Sequence, residues 1–213
     1  MDTKTQLDAL YAYTKEKLAS DKTGHDLAHI DRVLKLAKEL AKNYQVDRFV
    51  VLAAATLHDV VDDKLFADPK QAQKEVVAKM TALKITQEKQ AEILEIITHM
   101  SYASSLNGKY QLSLAGQIVQ DADWLDALGA IGITRAIYYG AVHQEKIYDP
   151  KILPRKALDK TEYRNLANET IINHFYEKLL KLPELLNTPE AKVLARPRQQ
   201  IMLDFLAAFK AEW

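Results

Sequence analysis

Residues 50–63, Val-Val-Leu-Ala-Ala-Ala-Thr-Leu-His-Asp-Val-Val-Asp-Asp, constrain this chain more than any other stretch. The first half is an almost unbroken apolar run that reads as a buried helix. The second half carries four groups able to bind a cation or a proton. Carboxylates and imidazoles are rarely buried unless paired or bound to a metal, because taking them out of water costs on the order of several kcal/mol. A buried His58 and Asp59 therefore need a partner. Adjacent helical residues lie about 100° apart, so both can reach one ion over the inner edge of that face. Asp62, four residues after His58 and three after Asp59, returns to the same side, and Asp63 flanks it. A lone His-Asp pair reads most simply as a helix end with solvated acids. Its place after an apolar helix and before more acid makes it a site candidate.

The helix before it is expected to run from His25 or Asp26, through Leu27, Ile30, Val33, Leu34, Ala37, Leu40 and Ala41, to near Tyr44. His25 and His29 are four apart and Arg32 is three further on, so all three can share one edge. That spacing fits a His-x-x-x-His metal pair, but Gly24 puts His25 at a frayed start. His29 is thus favoured as a ligand, and His25 as a substrate-facing or supporting group. His99 closes a helix that starts at Thr86, a place the helix dipole alone favours for histidine. The loop at 101–110, with Asn107-Gly108, is a candidate to close over a pocket. Residues 114–127 begin apolar and end acidic. Asp123 and Asp126 share a face there, and spacing does not choose between them as a further carboxylate ligand.

The remaining pattern predicts helices at 6–20, 47–61, 69–84, 130–142 and 161–182, the last stopped by Pro183. A final helix starts at Thr188-Pro189-Glu190 and runs toward Trp213. Residues 143–161 are irregular and charged, with Pro150 and Pro154, which suits a lid or binding loop. No strand alternation or repeat is sustained. The expectation is an all-α, single-domain orthogonal bundle of eight to ten helices over 1–213, a length that can bury a full core. The 29 basic and 29 acidic residues cancel, so nucleic acid and anionic membrane are not expected partners. Any anionic ligand must be held by a local cluster. With no cysteine, disulfides, zinc-thiolate sites and a thiol nucleophile are excluded. No apolar signal core and no run of roughly 18 apolar residues is present, so a cytoplasmic enzyme is expected.

Two imidazoles and two carboxylates from three helices suit one divalent cation, Mn²⁺, Mg²⁺, Ni²⁺, Co²⁺, Fe²⁺ or Zn²⁺. Mn²⁺ is the cofactor expected first. Such an ion activates water and polarises a phosphoryl oxygen, as hydrolysis of a phosphate ester or anhydride requires. Asp62 or Asp63 is placed to take the proton. Arg32, Lys64 and His99 are candidates to balance phosphate charge. The glycine-rich phosphate loop, the Gly-x-Ser-x-Gly elbow and the His-Glu-x-x-His helix are all missing.

These residues resemble the HD-domain metal-dependent phosphohydrolase superfamily, whose pattern is His, then His-Asp, then Asp on separate helices. His29 in His-Asp-Leu-Ala-His-Ile-Asp-Arg-Val matches the first position, Leu57-His58-Asp59 the doublet, and Asp123 in Asp-Ala-Asp-Trp-Leu-Asp the last. The runs at 129–135 and 173–182 extend the similarity to a small bacterial branch that includes nucleoside triphosphate pyrophosphohydrolases. The resemblance implies an HD core at about 22–130 with the C-terminal helices, 161–213, packed on it. It implies metal ligands His29, His58, Asp59 and Asp123, and a small phosphorylated substrate, most plainly a (deoxy)nucleoside triphosphate cut to monophosphate and pyrophosphate. A homodimer is compatible with it. The residues after the doublet also resemble guanosine tetraphosphate hydrolases, in which the first acid is usually Glu where this chain has Asp62. Trp124 stands where the bacterial branch usually has Arg. A 5′-nucleotidase, a guanosine tetraphosphate hydrolase and a non-catalytic nucleotide-binding HD domain are the rival readings.

Overall fold

The computed structural model describes residues 1–62, 66, 68–106, 108, 110–165 and 169–213. The expected Asp63 and Lys64 lie outside the described residues. The fold is all-α, with no strand among the described residues. Two compact units divide within one helix: Met1–Ala122 and Asp123–Trp213.

The first unit is built around its third helix. α1 (Thr3–Lys17), α2 (Leu27–Leu40) and α3 (Arg48–Leu57) are followed by α4 (Pro69–Ala82), α5 (Gln87–His99), the short α6 (Tyr102–Ser105) and the start of α7 (Leu114–Asp126). Every residue of α3 except Arg48 and Leu52 is buried, because α1, α2 and α5 all pack on it. Each fully buried Leu or Val contributes about 1.5–3 kcal/mol, so this helix anchors the unit. Asp47 starts it by accepting the backbone N–H groups of Phe49 and Val50, at 2.8 and 3.3 Å. Asp47 also pairs with Lys89 at 2.8 Å.

Three expectations change in this unit. The second helix starts at Leu27, since Asp26 is its N-cap, so His25 precedes the helix and His25 and His29 are not a helical i,i+4 pair. The third helix ends its α-helical course at Leu57, and His58–Val61 form a 3₁₀ turn. Part of the expected loop at 101–110 is helical, because Ser101 caps α6 by accepting from the N–H of Ser104.

The second unit holds the end of α7, then α8 (Gly129–Val142), α9 (Lys160–Arg164), α10 (Ile171–Glu177), α11 (Leu182–Leu185) and α12 (Pro189–Glu212). Twelve α-helices among the described residues exceed the eight to ten expected, mainly because the single helix expected at 161–182 is divided. Thr170 caps a new helix by accepting from the N–H of Asn173, and Leu179–Lys181 form a 3₁₀ turn after α10. Pro183 therefore sits in the first turn of α11, where a missing N–H costs nothing, and does not stop a long helix. Arg155 organises the irregular stretch at 143–159. Its guanidinium bonds Glu177, Glu169 and the carbonyls of Glu162 and Asn165, which ties this stretch to α9 and α10. α12 begins at the predicted Thr188-Pro189-Glu190 and accommodates Pro197 inside it.

Candidate metal centre

Two elements of the first unit deliver the centre. On α2, Asp26 accepts the N–H of His29 at 3.0 Å, which fixes the histidine one turn into the helix with 1% of its surface exposed. At the end of α3 the helix tightens, and two side chains explain why. Thr14 of α1 donates its hydroxyl to the Thr56 carbonyl at 3.0 Å, and His58 Nδ1 donates to the Ala55 carbonyl at 2.9 Å. Both compete for carbonyls that a continued α-helix would give to the N–H groups of Asp59 and Val60.

The bond to Ala55 also sets the chemistry of His58. A carbonyl only accepts, so Nδ1 carries the proton and the neutral ring presents the lone pair of Nε2. That nitrogen lies 3.1 Å from His29 Nε2. Asp59 completes the group, with Oδ2 3.4 Å from His29 Nε2 and Oδ1 3.4 Å from His58 Nε2. All three side chains are buried, and one ligand atom of each lies within 4.8 Å of the others. Among the described residues no other group of three or more His, Asp or Glu side chains meets this test.

These distances test whether a cation fits. With metal–ligand bonds of about 2.1 Å, neighbouring donors stand about 3.0 Å apart at a right angle and about 3.4 Å apart at the tetrahedral angle. The imidazole nitrogens are 3.1 Å apart and each is 3.4 Å from one Asp59 oxygen, Oδ2 for His29 and Oδ1 for His58, so each neighbouring pair of donors falls in this range. Two imidazole nitrogens and a carboxylate are donors suited to a first-row divalent ion. The donor set fits the group.

The other expected site residues are distributed as follows. His25 is half-buried, its ring edge-to-face with His29 at a centroid distance of 6.3 Å. Arg32 is half-buried on α2, one turn beyond His29. Asp62 ends the 3₁₀ turn, and its carbonyl accepts the N–H of Phe66 at 3.1 Å. His99, at the end of α5, donates from Nδ1 to the Glu95 carbonyl at 2.8 Å and stacks on Tyr110 at 3.9 Å. Asp123 belongs to the second unit, half-buried near the end of α7, between the buried Asp121 and Asp126. Asp126, its rival by spacing, pairs with Arg135 at 3.0 Å, and Arg198 donates to the Leu125 carbonyl beside it.

Sequence reasoning passed over Thr14, Asp21 and Thr23. Thr14 sits in an ordinary amphipathic helix, and nothing local marks its partner 42 residues away. Asp21 and Thr23 carry a local signal, an acid followed two residues later by a hydroxyl in a break, which is the composition of an Asx turn.

Comparison with known proteins gives a consistent result. A model of the HD domain matches residues 26–128. The YpgQ protein of Bacillus subtilis (strain 168) is 31% identical over 202 residues, 94% of this chain and 90% of the relative. Its structure in complex with ADP superposes with a TM-score of 0.78, covering 100% of this chain and 97% of that one. A Lactobacillus plantarum structure is 49% identical, with a TM-score of 0.93 and coverage of 100% and 99%. An HD-superfamily hydrolase from Bacillus thuringiensis is 36% identical, with a TM-score of 0.75 and coverage of 100% and 98%.

Proposed function

This chain belongs to the HD superfamily, and on that premise we propose that it is a divalent-metal-dependent phosphohydrolase acting on a nucleotide. The reaction we assign is hydrolysis of a (deoxy)nucleoside triphosphate to monophosphate and pyrophosphate. The observation that carries the reading is the convergence of His29, His58 and Asp59 at the spacing of ligand atoms around one ion. The ADP-bound relative supports a nucleoside phosphate as the ligand class.

In this reading His29, His58 and Asp59 are ligands, and Asp123 is a fourth, carried over from the superfamily pattern. Mn²⁺ is the ion we assign first. When bound, the cation supplies Lewis acidity that activates water and neutralises phosphate charge. The chain's own groups do the rest. The Ala55 carbonyl holds His58 in the tautomer that offers Nε2. Asp62, or Asp63 beside it, takes the proton released as the nucleophile attacks phosphorus. Arg32, Lys64 and His99 are the candidate contacts to substrate, with His25 a substrate-facing or supporting group beside them; the cations among them stabilise charge that builds on the phosphoryl oxygens.

The test is a purified protein supplied with Mn²⁺ and a panel of nucleotides, with products resolved as phosphate or pyrophosphate. Release of pyrophosphate from a triphosphate, lost together with Mn²⁺ binding in His58→Ala, supports the assignment. Phosphate from a monophosphate would make it a 5′-nucleotidase, and pyrophosphate from guanosine tetraphosphate would make it an alarmone hydrolase. Tight nucleotide binding with no turnover in the presence of any of the six ions would make it a binding domain.

A further inference from the structure

The break between α1 and α2 holds a hydrogen-bonded device built on His25. Asp21 Oδ2 accepts two backbone N–H groups, from Thr23 at 3.0 Å and from His25 at 2.9 Å. Asp21 Oδ1 accepts the Thr23 hydroxyl at 2.7 Å. Thr23 Oγ1 in turn lies 2.8 Å from His25 Nδ1. Gly24, with φ of 89°, lets the chain curl back so that both amides reach one carboxylate oxygen.

Proton accounting fixes the ring. A hydroxyl has one proton to donate, and a carboxylate can only accept, so the Thr23 proton lies toward Asp21. The contact between Thr23 and His25 is then made by Nδ1–H donating to Oγ1. The neutral ring is held as the Nδ1–H tautomer, and its lone pair is on Nε2.

We propose that Asp21 and Thr23 are positioning residues for His25, which serves the candidate centre as a hydrogen-bond acceptor through Nε2. Its ring stands edge-to-face with that of His29, one of the three clustered side chains. An acceptor there suits an O–H donor, and the donor we assign is the water that attacks phosphorus. It does not suit a phosphate oxygen, which brings only lone pairs, so the substrate-facing role expected for His25 becomes an orienting one. What the acceptor meets rests on the phosphohydrolase reading, whereas the tautomer does not.

An isosteric substitution makes a sharp test. In Asp21→Asn the amide oxygen must replace Oδ2, because two backbone N–H groups point at that position. The amide NH₂ then faces Thr23 Oγ1 and donates to it. The Thr23 proton turns to His25 Nδ1, and the ring becomes the Nε2–H tautomer. The experiment is nitrogen-15 NMR of the full chain with diamagnetic Mg²⁺, at a pH well above the ordinary histidine value of about 6.5. The wild-type protein and Thr23→Ser should show an unprotonated Nε2, and Asp21→Asn a protonated one. With Mn²⁺ and the nucleotide found to be cleaved, Asp21→Asn and Thr23→Val should lose about tenfold or more in kcat, KM staying near wild type, while Thr23→Ser is restored.

A protonated Nε2 in the wild-type protein, or an unchanged tautomer in Asp21→Asn, would overturn the positioning role. A flipped tautomer with unchanged kcat would overturn the acceptor role. A protein that holds no cation and cleaves no nucleotide would overturn the phosphohydrolase reading, and with it the acceptor role, while the tautomer measurement still decides the positioning role.

Discussion

A single buried hydroxyl shapes the candidate centre. Thr14, with no exposed surface, donates to the Thr56 carbonyl and holds the end of α3 just before His58. Thr14→Val keeps the volume and removes the donor, leaving a buried carbonyl to lose that bond at a cost of about 1–3 kcal/mol. Urea titration should show a lower midpoint with an unchanged m-value, and Mn²⁺ affinity should fall about tenfold because His58 loses its support. In the second unit Glu169 governs acid stability. Burial alone would raise its carboxyl, but the His174 ring at 2.9 Å and the Arg155 guanidinium at 3.1 Å hold it below its ordinary 4.5. Since the unfolded chain takes up that proton more readily, the stabilisation is fully present above pH 4.5 and is lost as pH falls through the folded value. Glu169→Gln breaks a buried pair, so it should cost about 3 kcal/mol at neutral pH and flatten the acid limb of the stability profile. Unfolding midpoints measured from neutral to acid pH check both parts.

At the scale of helices, two glycines of α8 mark close approaches of different kinds. A Cβ on Gly140 would meet Cγ1 and Cδ1 of Ile171 on α10 at 2.4 and 2.6 Å, the movable end of a side chain. A Cβ on Gly132 would meet the carbonyl oxygen of Ala127 at 2.1 Å, which is backbone and cannot rotate away. Gly140→Ala should therefore cost about 1–3 kcal/mol from overpacking, partly offset by about 1 kcal/mol of helix propensity. Gly132→Ala should cost more than Gly140→Ala. Thermal melts of the two variants side by side test the order, and equal losses would contradict it. The same distinction between local and distant causes explains what was legible beforehand. Apolar periodicity and start signals such as Thr188-Pro189-Glu190 are local to one helix, so α3, α4 and α12 could be read from the chain. The division of 161–182 could not, because Ile171, Phe175, Leu179 and Leu182 keep an apolar rhythm through it while Thr170 and the Arg155–Glu177 pair, 22 residues apart, set the breaks. In the candidate centre, His29, His58 and Asp59 were legible because charged groups at buried helix ends are conspicuous. Asp21 and Thr23 were not, because their meaning lies in which atom bonds to which.

Over the whole molecule, the proposed centre links cation binding to stability. His29, His58 and Asp59 cluster only in the folded chain, as they are distributed across two elements 29 residues apart, so an ion held by them binds the native state and not the unfolded one. Stability then rises with the logarithm of free cation, by about 2.7 kcal/mol at a hundredfold excess over Kd. For a chain of this size one kcal/mol moves the midpoint by about 2–4 °C, so saturating Mn²⁺ should raise Tm by about 5–10 °C. EDTA should reverse the rise, and Mg²⁺ should give a smaller one at equal concentration, since it holds its water tightly and prefers oxygen donors to imidazole. In His58→Ala the Mn²⁺ dependence should vanish even if the metal-free Tm hardly changes, which separates loss of a ligand from loss of packing. A wild-type Tm indifferent to every divalent ion would mean that the short contacts among these three side chains are satisfied by a shared proton and not by a metal.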